Sequence, residues 1–212
     1  MDFLRAHPEL SICFHNARVV YEDGSQAPHP FHMPAPAHRI SHHVPKAIST
    51  IADLAGGNFM QTCSVVFRAG LYGALPDWYL SMPTFDWPLH LLNAEHGDIG
   101  YIDEVMGVYR VRPGSFWSTN MALYLRVEDV ESMIRAYEIV NEYTRFRFDA
   151  TIRDQLRPLY RRAAEVLIGK GHHWRAARYS LKGWTGAGDG RSGHRRESLK
   201  LLLRSVRSAL IG

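Results

Sequence analysis

The sequence predicts an α/β chain, with a mixed sheet and flanking helices over residues 1–120 followed by an α-helical C-terminal region. Three observations predict it. Runs rich in β-branched and aromatic residues recur at 10–22, 62–69 and 99–112, with short helical patterns between them. From about Leu125 the apolar residues step by three and four instead, as Val127, Val130, Ile134, Tyr137 and Val140 do. The chain has 212 residues, 46% hydrophobic and 22% charged, enough to bury an ordinary globular core. The organisation this implies is a first segment 1–120, a helical extension 121–185, and a glycine-rich linker with a basic amphipathic helix at 186–212.

The elements follow in order. MDFLRAH reads as the last two turns of a helix, stopped by Pro8. LSICFHNARVVYE (10–22) reads as a strand closed by Asp23-Gly24. Residues 25–47 hold five Pro and five His with few large aliphatics, and predict a long loop, of a length that in compact domains is usually a functional lid or disordered. ISTIADLAGG (48–57) is a short helix, capped by Ser49 or Thr50 and ended by Gly56-Gly57. TCSVVFRA (62–69) is a buried strand. A helical turn (AGLYGAL) and a loop (PDWYLSMP) lead into a helix from Asp86 to His96, stopped by Gly97.

IGYIDE and VMGVYRVR read as two further strands, followed by the turn PGS and Phe116-Trp117. Four helices complete the chain, the first two being RVEDVESMIRAYEIVNEYTRF and DATIRDQLRPLYRRAAEVLIGKG, then HHWRAARYSLKGW and, after the break GAGDGRSG, RRESLKLLLRSVRSALIG. Cys13 and Cys63 both fall in apolar strand-like runs, which predicts buried, reduced thiols and a cytoplasmic setting. No run approaches eighteen apolar residues, and the N-terminus lacks the basic-then-apolar build of a signal peptide.

Charge is unevenly spread. Residues 170–212 carry ten Lys/Arg against Asp189 and Glu197, a net +8, while the whole chain is +4, so the first 169 residues carry −4. In the last helix Leu199, Leu202, Leu203, Val206 and Leu210 share a face, with Arg195, Arg196, Lys200, Arg204 and Arg207 mostly elsewhere. That pattern suits an interfacial helix on an anionic membrane and equally a helix packed on its own domain. No nucleic-acid module accompanies the charge, so nucleic acid is not an expected partner.

The stretch that carries candidate chemistry is PTFDWPLHLLNAEHGDIGYID (83–103). It places Asp86 at the start of an apolar-striped helix, after Trp78, Tyr79 and Phe85, with Trp87 and Pro88 directly behind it. Asp is a preferred N-cap and Pro suits the first turn, so capping alone accounts for the position. A strand and a loop ending in an acid at a helix mouth is also a common way to present a general base.

HPELSICFHNARVVYEDG and GGNFMQTCSVVFRAGLYGALPDWYLSMPTFDWPLHLLNAEHGDIGYIDEVMGVYRVRPGSFWS, taken together, resemble the C-terminal half of a bacterial family 2 glycosyltransferase with the GT-A fold. In that resemblance NFMQTCSVVFR is the acceptor-side strand, the Asp of FDW is the catalytic base, and GYIDEVMGVYRVR forms the closing strands. It implies a partial GT-A-like sheet and inverting transfer of a sugar from a nucleotide-sugar donor to a glycan or lipid-linked acceptor, as in cell-surface polysaccharide synthesis. Asp86 would take the acceptor's proton, and substrate contacts are implied at Asn58, Trp87, Arg110, Arg112 and Trp117. Arg110 and Arg112 suit the departing diphosphate, because guanidinium forks match phosphate oxygens.

In such enzymes the donor nucleotide and a divalent cation, Mn or Mg, are held by an N-terminal half that has no counterpart here. The expectation is that this chain binds no cation alone and that the N-terminal half is supplied elsewhere, on a separate chain for instance. Arg112 stands where such sequences often carry a histidine, and an arginine cannot ligate the metal. No metal site is assigned to His29, His32, His38, His42 and His43, which lie among prolines without cysteine or carboxylate partners. The alternative is a non-catalytic remnant that acts as an interaction or peripheral membrane module through its basic C-terminal helix.

Overall fold

The computed structural model describes residues 2–21, 46–83, 86–112, 126–185 and 192–211. Most of the Pro/His-rich stretch 25–47, and Phe85, Phe116 and Trp117, lie outside the described residues. The chain divides into two compact units, Met1–Ala122 and Leu123–Gly212, the first a mixed sheet with helices and the second all-helical. Among the described residues no helix is long and apolar enough to cross a membrane.

In the first unit α1 (Asp2–Ala6) leads into β1 (Leu10–Tyr21), the long strand expected from its β-branched and aromatic run. β2 (Ile48–Ser49) precedes α2 (Ile51–Ala55), where Asp53 reaches back to accept the Thr50 N–H at 2.9 Å and its hydroxyl at 3.1 Å. A 3₁₀ turn, Thr62–Ser64, leads into β3 (Val65–Phe67), and a second 3₁₀ turn, Asp77–Ser81, precedes α3 (Asp86–Ala94). β4 is Asp98–Val111. The four strands lie in the order β2-β4-β1-β3, with β4 parallel to β1 and both edges antiparallel. The first half of β1 is buried on both faces, since Leu10, Ser11, Ile12, Cys13 and Phe14 are all covered, while Arg18 and Val20 further along are exposed.

Three local expectations are corrected. IGYIDE and VMGVYRVR are one continuous strand, not two. β1 advances from His15 to Ala17 while β4 advances from Ile102 to Gly107, so three extra residues of β4, the pair Asp103-Glu104 and then Met106, are bulged out of the pairing. The bulge is held by Asp103, which accepts from Asn16 Nδ2 at 3.1 Å and from the Tyr101 hydroxyl at 2.9 Å. Second, TCSVVFRA is a strand only over Val65–Phe67, at an edge, because the residues before it turn in a 3₁₀ helix. Third, that turn leaves Cys63 exposed; only Cys13 is a buried thiol.

Gly97 has a different reason from the stop expected of it. The helix ends at Ala94, and a Cβ on Gly97 would come within 2.6 Å of the Glu9 carbonyl and 2.9 Å of the Ser11 nitrogen. The chain leaving α3 lies directly against the start of β1, where the Ser11 hydroxyl donates to the Gly97 carbonyl at 2.8 Å. Arg68 completes this corner, its guanidinium donating to the carbonyls of Leu4, His7 and Leu10 and so tying α1 to the sheet.

The second unit consists of α4 (Val127–Tyr143), α5 (Asp149–Gly169), α6 (His173–Thr185) and α7 (Ser192–Ile211). Val127, Ala164, Leu167 and Ala176 form a core with Leu201 packed on it. Two polar clasps one heptad apart join α4 to α6. Glu131 meets Arg175 and the Tyr179 hydroxyl, each at 2.8 Å, while Glu138 meets Lys182 at 3.1 Å and the Tyr160 hydroxyl at 3.4 Å. Burial, reinforced by the Glu138 carboxylate, pushes Tyr160 up to about 12, so it stays a donor at neutral pH. α7 packs along α6 and touches α5, with Ser198 and Ser205 buried.

Candidate functional site

Asp86 is the first residue of α3 and is half-buried. Its Oδ1 accepts the N–H of Trp87 at 2.8 Å. The next residue, Pro88, has no N–H to give, so the capping expected of Asp86 reaches one residue only. Oδ2 turns to a different part of the chain, where it accepts from Asn58 Nδ2 at 3.2 Å and from the Thr62 hydroxyl at 2.8 Å. A carboxylate oxygen has about two lone-pair sites; those of Oδ2 are filled and one on Oδ1 is left.

Local sequence explains why Asn58 arrives there. α2 ends in Gly56-Gly57, and Gly57 has φ 132°, a conformation open to glycine alone. Asn58 follows, and its Oδ1 accepts the Met60 N–H at 3.0 Å, which turns the amide nitrogen toward Asp86. The end of α2 is anchored in turn by Trp87, whose indole N–H donates to the Leu54 carbonyl at 2.9 Å; the Gly57 N–H reaches the same oxygen at 3.0 Å. The chain thus closes a ring from Asp86 through Trp87, Leu54 and Gly57 to Asn58 and back to Asp86.

Three further groups feel the carboxylate. Burial raises the Tyr79 and Tyr109 phenols above their ordinary value, helped in Tyr79 by Tyr72 and then Asp86, and in Tyr109 by Cys63 and then Asp86. Both remain protonated donors at neutral pH. His90, one helical turn after Asp86, is 2% exposed, and its Nδ1 is buried without a hydrogen-bond partner. Burial depresses it to about 4 against the opposing pull of Asp86, so it is a neutral imidazole under ordinary conditions.

Of the residues singled out in the sequence, Asp86 and Asn58 are brought together and bonded. The expectation of a substrate contact at Trp87 is corrected: the ring is 3% exposed and its N–H is engaged with Leu54, so it supports the site from within the core. Arg110 is exposed on β4, next to Tyr109. Successive side chains on a strand point to opposite faces. Tyr109 and Gly107 face the Cys63 turn, so Arg110 belongs to the other side. Arg112 is exposed just past the end of that strand. Trp117 lies outside the described residues. Sequence reasoning missed Thr62, because its stretch read as strand, and missed Tyr109 and His90. Only His90 left a usable signal, the spacing of four from Asp86 that places both on one side of a helix.

Among the described residues no group of three or more His, Cys, Asp and Glu side chains is placed to hold a metal ion. The arrangement offers instead one fixed carboxylate with a spare lone pair and neutral donors around it, which suits accepting a proton from a hydroxyl.

No protein-family model matches the chain, and no solved structure matches it. Over 118 residues it is 36% identical to Rv1520 of Mycobacterium tuberculosis and, at the same level, to Mb1547 of Mycobacterium bovis, both described only as uncharacterized proteins. The matched stretch covers 55% of this chain and 30% of the length of each relative.

Proposed function

We propose that this chain carries the acceptor-side half of an inverting glycosyltransferase, with Asp86 as the general base. The observation that carries the reading is the Asp86 carboxylate, fixed at a helix start by Trp87, Asn58 and Thr62 with one lone pair of Oδ1 unfilled. In the reaction an acceptor hydroxyl attacks the anomeric carbon of a nucleotide-sugar as the bond to the diphosphate oxygen breaks. The hydroxyl proton passes to Oδ1 of Asp86, and the electron pair leaves with the diphosphate. Asn58 and Thr62 keep the carboxylate oriented through that transfer, so little reorganisation is needed at the moment of reaction. Tyr109, a half-buried neutral donor near the same carboxylate, suits the polar edge of a saccharide, while Tyr79 is buried and supports the site from within. No step is assigned through a divalent cation, because the described residues do not provide a ligand set for one.

The test joins the chain to a nucleotide-binding half, fused or supplied as a second polypeptide, and measures sugar transfer to saccharide acceptors. Asp86→Asn keeps the shape and an acceptor oxygen for the Trp87 N–H but removes the base. It should lower kcat by about a hundred- to ten-thousand-fold while the circular dichroism stays near the parent's. Because its NH2 would face Asn58 Nδ2 where Oδ2 accepted, stability should fall by about 1–3 kcal/mol. Near-parental turnover by the folded variant would reduce Asp86 to a helix cap.

A further inference from the structure

α7 presents three faces, and only one of them is needed to hold it in place. Its packed face is centred on two serines, with Leu201 beside them against the core. Ser198 and Ser205 are 5% and 0% exposed, and a Cβ on Gly183 of α6 would come within 2.9 Å of the Ser198 hydroxyl, which marks a close helix crossing. At 3.6 residues per turn, Leu199, Leu203, Val206 and Leu210 fall on a separate narrow stripe. Leu203 and Leu210 are 63% and 74% exposed. On the side of that stripe away from the serines, Arg196, Lys200, Arg204 and Arg207 form a second stripe, all exposed. Among the described residues of α7, Glu197 is the acidic member of this face, and it is paired with Lys200 at 2.9 Å.

The leucine stripe is therefore not the fold's own contact. A helix seated on its serines leaves a row of leucines outward, with a row of cations running parallel to it. We infer that this outward face of α7 is a docking surface for an anionic lipid bilayer. Charge decides the occupant. A second copy of the chain would bring two cationic rows together, whereas an anionic leaflet gives the guanidinium groups phosphates to bind and gives the leucines an apolar layer to enter. Long basic side chains suit that boundary, because their stems can lie along apolar surface while the charge stays at the headgroups. The inference rests on α7 alone and stands or falls separately from the chemistry at Asp86.

The test uses the full chain with vesicles of phosphatidylcholine alone and of phosphatidylcholine mixed with phosphatidylglycerol. The chain should co-sediment with the mixed vesicles, much less with the neutral ones, and less again as salt rises. Each cation near an anionic surface is worth about 1 kcal/mol, so the double variant Arg204→Gln, Arg207→Gln should lose about 30-fold in partitioning. Leu203→Gln with Leu210→Gln should lose at least about tenfold, on mixed vesicles at any salt. Both variants should melt with the parent, since these side chains are exposed; Leu210→Gln alone serves if the leucine pair does not fold. Removal of the whole helix is no substitute, because α7 is packed on α6. Absence of binding to mixed vesicles would overturn the inference. So would equal binding to neutral vesicles, partitioning indifferent to both variants, or a leucine-dependent dimer in place of vesicle binding.

Discussion

Asp86 illustrates how one side chain can serve a helix and a site together. Oδ1 begins the helix by holding the Trp87 N–H, and Oδ2 is held by Asn58 and Thr62 from a segment more than twenty residues earlier. His90, in the next turn, is a residue whose charge state is set by burial. It is buried, neutral, and depressed from 6.5 to about 4. The folded state therefore prefers the uncharged imidazole. The stability this contributes is complete above the unfolded value of 6.5 and is lost as pH falls through about 4. Unfolding measured from neutral to acid pH should show the parent losing on the order of 3 kcal/mol more than His90→Leu, which has nothing to protonate. Parallel profiles for the two proteins would mean that His90 is not desolvated as described.

At the scale of elements, the connection from α3 to β4 is what brings the site-bearing helix onto the sheet. Its tightest point is Gly97, whose neighbours are backbone atoms of Glu9 and Ser11 rather than movable side-chain ends. Gly97→Ala should therefore destabilise the chain by about 2 kcal/mol or more, read as a lowered urea midpoint, because neither β1 nor the connection can yield cheaply. An unchanged midpoint would show that the connection stands further from β1. The bulge in β4 works at the same scale. By absorbing extra residues against β1 it shifts which residues pair beyond it, and so determines that Gly107 and Tyr109 face the Cys63 turn.

At the scale of the whole molecule, the charge is divided along the sequence, −4 over the first 169 residues and +8 over the rest. The carboxylate site belongs to the sheet-bearing unit and the cationic face of α7 to the helical one. If the donor is held by a separate nucleotide-binding half, as proposed, the chain by itself should show no measurable binding of a UDP- or dTDP-sugar, with or without manganese. Calorimetry at millimolar donor checks this. A saturable isotherm would move the donor site into this chain and require a different division of labour from the one proposed.

Much of this architecture was legible in the sequence because it is local. β-branched and aromatic runs marked β1, the three-and-four stepping of apolar residues marked α4 to α7, and Gly56-Gly57 marked the end of α2, since propensity and period act over a few neighbours. Asp86 was legible for the same reason: an acid followed by Trp-Pro at the head of an apolar stripe is a local pattern. Tertiary structure alone decided what depends on distant partners. It joined two expected strands into one around the Asp103-Glu104 bulge, because the pairing with Asn16 is non-local. It placed Thr62 on Asp86, turned Trp87 into the core, and chose the face of α7 with Ser198, Leu201 and Ser205 for packing while leaving Leu199, Leu203 and Leu210 exposed. A helical wheel ranks faces by their polarity, but which face is covered depends on the shape of what it meets, and at the close crossing beside Gly183 there is room for a serine.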